Sequence, residues 1–110
     1  DKYLPRLEGS SVWLEKDINH AVTQRARGVS LLLNGNYSKA EEKLNTALKT
    51  FVDFDTQWQM GRTYFELGQL AAVQEHNSAA KDFYQQAIDS YEKLGAVPDI
   101  SKTNEALKQL

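Results

Sequence analysis

Apolar residues recur along this chain with helical spacing, and nowhere do they keep the two-residue alternation of a strand. Ile18, Val22, Ala26, Val29 and Leu33 follow one another at intervals of three and four, which gathers them into one apolar seam on a helix. Both prolines, Pro5 and Pro98, lie near the ends, so the interior has no strong breaker. The pattern predicts a helix from about Ser11 or Trp13 to Leu33, stopped by Asn34-Gly35, and a second one from near Asn36. A third helix, capped by Asp55 or Thr56, should reach Val73 or Gln74; a fourth, capped by Asn77 or Ser78, should end at Gly95. After Pro98, Asp99 is expected to cap a last helix.

Sliding the sequence against itself by 40 residues brings the two halves into register. Thr23/Thr63, Gly28/Gly68, Ser38/Ser78, Ala40/Ala80 and Ala47/Ala87 are identical, and Leu44/Tyr84, Leu48/Ile88, Phe51/Tyr91 and Phe54/Leu94 are conservative matches. A partial third copy follows at Thr103, Leu107, Gln109 and Leu110. A period between 20 and 50 residues marks a solenoid, whose units bury their apolar faces only by stacking. Residues 15–54 and 55–94 read as two repeats, 95–110 as a capping helix or the start of a third, and 1–14 as an N-terminal segment or the tail of a preceding helix. Glycine inside a helix costs about 1 kcal/mol relative to alanine. Its recurrence at Gly28 and Gly68 therefore implies close helix packing, expected against Ala40/Ala47 and Ala80/Ala87. Phe51, Phe54, Trp58 and Tyr91 are expected around the junction between units.

These residues resemble the tetratricopeptide repeat family. In the second unit Tyr64, Leu67, Gly68, Ala80, Tyr84, Ala87 and Ile88 fall on the large, small and aromatic positions of that repeat; in the first, Gly28, Gly35, Tyr37, Ala40, Leu44, Ala47 and Leu48 do. Gln24, Arg27, Ala71, Glu75 and Asn77 depart from it, neither unit has the closing proline, and the period exceeds the usual 34 residues, which lengthens the helices. The resemblance implies an all-α fold, a helix-turn-helix solenoid of about two repeats plus a C-terminal capping helix, and a non-enzymatic scaffold for protein–protein interaction. Long-repeat variants of this kind look like those in bacterial signalling and regulatory proteins and in scaffold proteins.

By the same resemblance the first helix of each unit lines a concave groove for a peptide, which assigns Arg25, Val29, Leu33, Arg62, Phe65, Gln69 and Lys102 to the site. A subgroup of the family grips the carboxylate of a chaperone tail with Lys and Asn side chains; Arg25, Val29 and Glu66 stand at those positions, so that clamp is not matched. The three basic groove residues favour an acidic or C-terminal peptide, with Phe65 as apolar anchor and Gln69 available for its backbone, although Glu66 and Glu105 dilute the charge.

Composition narrows the alternatives. Thirteen basic and 15 acidic side chains among 110 residues leave a formal charge of −2, which offers no footprint for nucleic acid. The absence of cysteine excludes disulfides, thiolate metal sites and cysteine nucleophiles. No apolar run approaches the length of a membrane span, and the expected location is cytoplasmic. The opening Asp1-Lys2-Tyr3-Leu4-Pro5-Arg6 has neither an initiator Met nor a signal core, which suggests a segment of something longer.

His20 and His76 have no partner at ligand spacing, Glu41-Glu42 and Asp53/Asp55 read as helix-end charges, and Asn36-Tyr37-Ser38 as a chance glycosylation sequon. No catalytic, metal or cofactor site is expected. Two further readings stay open: self-association through Val22, Ala26, Val29 and Leu33, which would make a repeat-mediated dimer or array without a peptide ligand, and a ligand-sensing regulatory segment of a larger protein.

Overall fold

In a computed structural model, which describes the backbone of residues 3–110 and the side chains of residues 16–110, the described residues form five helices. These are α1 (Tyr3–Leu33), α2 (Tyr37–Asp53), α3 (Gln57–Val73), α4 (Asn77–Leu94) and α5 (Val97–Lys108). Helix α1 starts upstream of the expected Ser11 or Trp13, and the side chains of the segment 1–14 lie outside the described residues. Helices α1 with α2 and α3 with α4 form two antiparallel pairs, α2 joins one pair to the next, and α5 packs on α4. The chain is all-helical, a solenoid of the expected kind.

The small residues of the repeat let the paired axes approach. A Cβ added at Gly28 would lie 2.8 Å from Cγ of Leu44 and 3.3 Å from the carbonyl oxygen of Ala40. At Gly68 it would lie 2.5 Å from Cε1 of Tyr84, and at Gly61 2.6 Å from Cε1 of Tyr91. In the second unit, then, an aromatic ring occupies the glycine notch, where Ala80 and Ala87 were expected. Those two alanines are fully buried beside it in one cluster with Phe65, Tyr84 and Tyr91. Phe51 and Tyr91 are core, as expected, whereas Phe54 and Trp58 are 40% and 42% exposed because they sit at a helix end and in the first turn of the next helix.

All four connections have the same geometry. The left-handed residues Gly35, Asp55, Glu75 and Gly95 recur every 20 positions, with φ of 80°, 53°, 61° and 66°. After α1, the Gly35 N–H donates to the Leu32 carbonyl at 3.1 Å and Asn36 to Leu31 at 2.8 Å; after α2, Asp55 donates to Val52 and Thr56 to Phe51, both at 3.0 Å. Glu75/Ala72, His76/Ala71, Gly95/Glu92 and Ala96/Tyr91 complete the series. This paired-bond ending satisfies the last carbonyls and needs one left-handed residue.

Of the expected caps, Thr56 stands at its N-cap, whereas those of α4 and α5 fall earlier, at His76 and Ala96, than the expected Asn77 or Ser78 and Asp99. Asp55 supplies the left-handed residue, and Asn36, Thr56, His76 and Ala96 occupy the N-caps without side-chain cap bonds. Thr56 Oγ1 instead donates to the Phe51 carbonyl at 3.0 Å. Helix α5 begins before Asp99 and takes Pro98 into its first turn, where a missing N–H costs nothing.

Candidate functional site

The odd-numbered helices meet side by side through polar contacts spaced one repeat apart. Arg25 on α1 reaches across to α3, where its Nη1 donates to Oε2 of Glu66 at 2.8 Å. From the other side, Nζ of Lys102 on α5 lies over the Phe65 ring, 5.1 Å from its centre. Arg62 lies between them: Nη2 is 3.9 Å from Glu66 Oε2, and the guanidinium stands 5.2 Å from the centre of the Trp58 ring, one turn earlier on α3.

One carboxylate thus faces three cations. Burial nevertheless pushes the Glu66 carboxyl above its ordinary value of 4.5, outweighing the charges of Arg25, Arg62 and Lys102 and the Arg25 hydrogen bond. Oε1 of Glu66 and Nε of Arg25 are buried without hydrogen-bond partners. The pair is consumed in joining α1 to α3.

The seven residues assigned from sequence fall into two groups. Arg25, Phe65 and Val29 are buried or half-buried within the packing. Arg25 is tied to Glu66, and Phe65, 7% exposed, tilts against Tyr84 with ring centres 5.5 Å apart. Val29 is half-buried against the Ala40, Leu44, Leu67 and Leu70 cluster. Arg62, Gln69, Lys102 and Leu33 reach the surface, Leu33 being 82% exposed. Phe65 is too covered to serve as the anchor expected of it.

Exposed aliphatic surface lies elsewhere, at the C-terminal ends of α1 and α3. A cleft of about 510 Å³ is lined there by Leu32, Leu33, Tyr37, Gln69 and Val73. Val73 is 52% exposed. Neither Trp58, expected at the junction between units, nor this cleft was among the groove residues assigned from the sequence. The Trp58–Arg62 contact was legible as an i,i+4 pair; the cleft joins residues of two units and has no local signal.

Among the described residues no group of His, Asp and Glu side chains could hold a metal ion, and no helix is long and apolar enough to cross a membrane. The tetratricopeptide repeat family model matches residues 19–93. The chain belongs to the tetratricopeptide repeat family. No curated protein and no solved structure matches it significantly. Tetratricopeptide repeats are in general interaction modules that bind proteins or peptides and carry no catalytic site of their own. Here the matched span runs from residue 19, within α1, to residue 93 near the end of α4; it includes the Arg25, Arg62 and Glu66 cluster and leaves the first part of α1 and all of α5 outside.

Proposed function

We propose that this chain is a non-enzymatic scaffold that binds a peptide segment of a protein partner along the face of α1, α3 and α5, as part of a regulatory or signalling protein. The observation that carries the reading is the imbalance around Glu66: its one carboxylate is engaged by Arg25, and Arg62 and Lys102 remain at the surface with charge to spare. An acidic peptide complements them. Residues 15–54 and 55–94 are the two repeats and 95–110 the cap. In support, Ser101, Asn104 and Lys108 stand on α5 where Gly61, Tyr64 and Gly68 stand on α3, so its outer face is polar and lacks the notch that admits a second helix.

Binding of acidic and basic peptide pools to wild type and to an Arg62→Glu/Lys102→Glu variant tests the reading. Both substitutions are on accessible side chains, whereas Arg25→Glu would bury a second carboxylate beside Glu66. Acidic peptides should bind better, more weakly as salt rises, and should lose that preference in the variant. Preference for basic peptides, or affinity indifferent to charge reversal, would contradict it. Self-association is the competing reading, and its support is Leu33; of the apolar seam, Val22 and Val29 are half-buried within the chain, leaving Ala26 and Leu33 exposed. A mass that rises with concentration and falls with Leu33→Ser would favour it.

A further inference from the structure

Resting on the reading above, we infer that the groove recognises its partner at two points, and that the partner is an extended protein segment with an acidic and an aliphatic side chain about five residues apart. The two halves of the groove differ in chemistry. Toward the N-terminal ends of the odd helices lie Arg62, Lys102 and the half-exposed Trp58 ring. Toward the C-terminal ends lies the cleft with Leu33 and Val73 at its mouth. Gln69 lies between them on α3, exposed, with an amide that can bond the backbone of a passing chain.

Charge complementarity fixes the first point. Arg25 is bonded to Glu66 at 2.8 Å, while Arg62 approaches the same oxygen only at 3.9 Å and Lys102 rests on the Phe65 ring. An incoming carboxylate therefore meets two cations already held in place by aromatic rings, which lowers the ordering cost of binding. The nearby Glu105 is within 4.0 Å of Lys108. The second point follows from the cleft, whose aliphatic mouth gains by being covered.

The spacing comes from helix geometry. Arg62 and Val73 are on the same helix, and at 1.5 Å per residue they are about 16 Å apart along its axis. An extended chain advances about 3.3 Å per residue, so about five residues span that distance. Either feature alone would be ordinary; the fixed separation makes the groove selective.

The test is selection of random twelve-residue peptides displayed against the intact chain, followed by titration of the enriched peptides. Wild type, Arg62→Glu/Lys102→Glu and Leu33→Ser/Val73→Ser are compared, with circular dichroism to establish that both variants fold. Enriched peptides should share an acidic and an aliphatic residue about five apart, and each double variant should lose at least about tenfold in affinity, the effect of 1.4 kcal/mol. If binding is lost in the charge variant but unchanged in the Leu33/Val73 variant, or if enriched peptides show no fixed separation, two-point recognition is wrong while the groove reading survives. If neither variant changes binding, or no peptide is enriched, both fail. Loss caused only by a change in the chain's own association state would assign the Leu33 surface to a second copy and overturn the inference.

Discussion

At the residue scale, what separates the two repeats is the side chain that fills the glycine notch. Leu44 lies over Gly28, and the larger Tyr84 and Tyr91 rings lie over Gly68 and Gly61. A methyl group at position 68 would gain helix propensity worth about 1 kcal/mol. It would also come within 2.5 Å of a buried ring that cannot fold away from it, an overpacking cost of about 1–3 kcal/mol. The clash should win. Gly68→Ala is expected to lower the melting temperature in thermal denaturation by more than Gly28→Ala does, since a leucine can readjust more easily than a ring. Tyr84→Leu, which copies the first unit, should make Gly68→Ala less damaging than it is in wild type. Additive losses in that double-mutant cycle would mean that ring and notch are not coupled. The glycine positions were legible in the sequence because they repeat, but the occupant was not, since Ala80 and Tyr84 are equally close candidates along α4.

At the element scale, the helices and their 40-residue repeat could be read from the chain, while the 20-residue recurrence of the left-handed turns and most of the capping could not. Gly35 and Gly95 announce their turns; Asp55 and Glu75 do not, because neither residue type demands a left-handed backbone. The paired-bond ending imposes it on them, and it costs an L-residue roughly 1–2 kcal/mol. Glu75→Gly should therefore stabilise the chain. Part of the gain is offset by the greater freedom of glycine in the unfolded chain. A net gain of about 0.5–1 kcal/mol is expected, read as a rise of a few degrees in melting temperature. Gly35→Ala should do the opposite through backbone strain alone, since nothing lies within 4 Å of the added methyl. A destabilising Glu75→Gly would show that the side chain at this turn contributes more than its backbone costs. Phe54 and Leu94 carry a related lesson: they recur one repeat apart yet are both exposed, because the repetition reflects a shared position at the helix end and not shared burial.

At the scale of the whole molecule, stacked repeats keep their relative placement through contacts between units, and here the most polar of these is Arg25–Glu66, which joins α1 to α3. Its partners are 41 residues apart; the pairing becomes legible only once the repeat register is known, and the sequence alone suggested that Glu66 merely dilutes the charge of the groove. The direction of the Glu66 shift says that burying this carboxylate costs more than its three cations return. With its folded value raised above 4.5, Glu66 contributes most to stability below that pH, and the contribution is lost as pH rises through the folded value. Glu66→Gln, which mimics the protonated acid, should then be at least as stable as wild type at pH 7, the two converging as pH falls below 4.5. Arg25→Ala removes the strongest influence holding the carboxyl down, so it should raise the folded value further. It is expected to cost about 3 kcal/mol at pH 7, the low end for breaking a buried pair because Arg62 and Lys102 remain. At acid pH the loss should shrink to that of the packing made by the arginine stem. Urea denaturation of the three proteins between pH 4 and pH 8 measures all of this. A Glu66→Gln variant several kcal/mol weaker than wild type at neutral pH would show that the ion pair outweighs its desolvation and is the principal tie between the repeats.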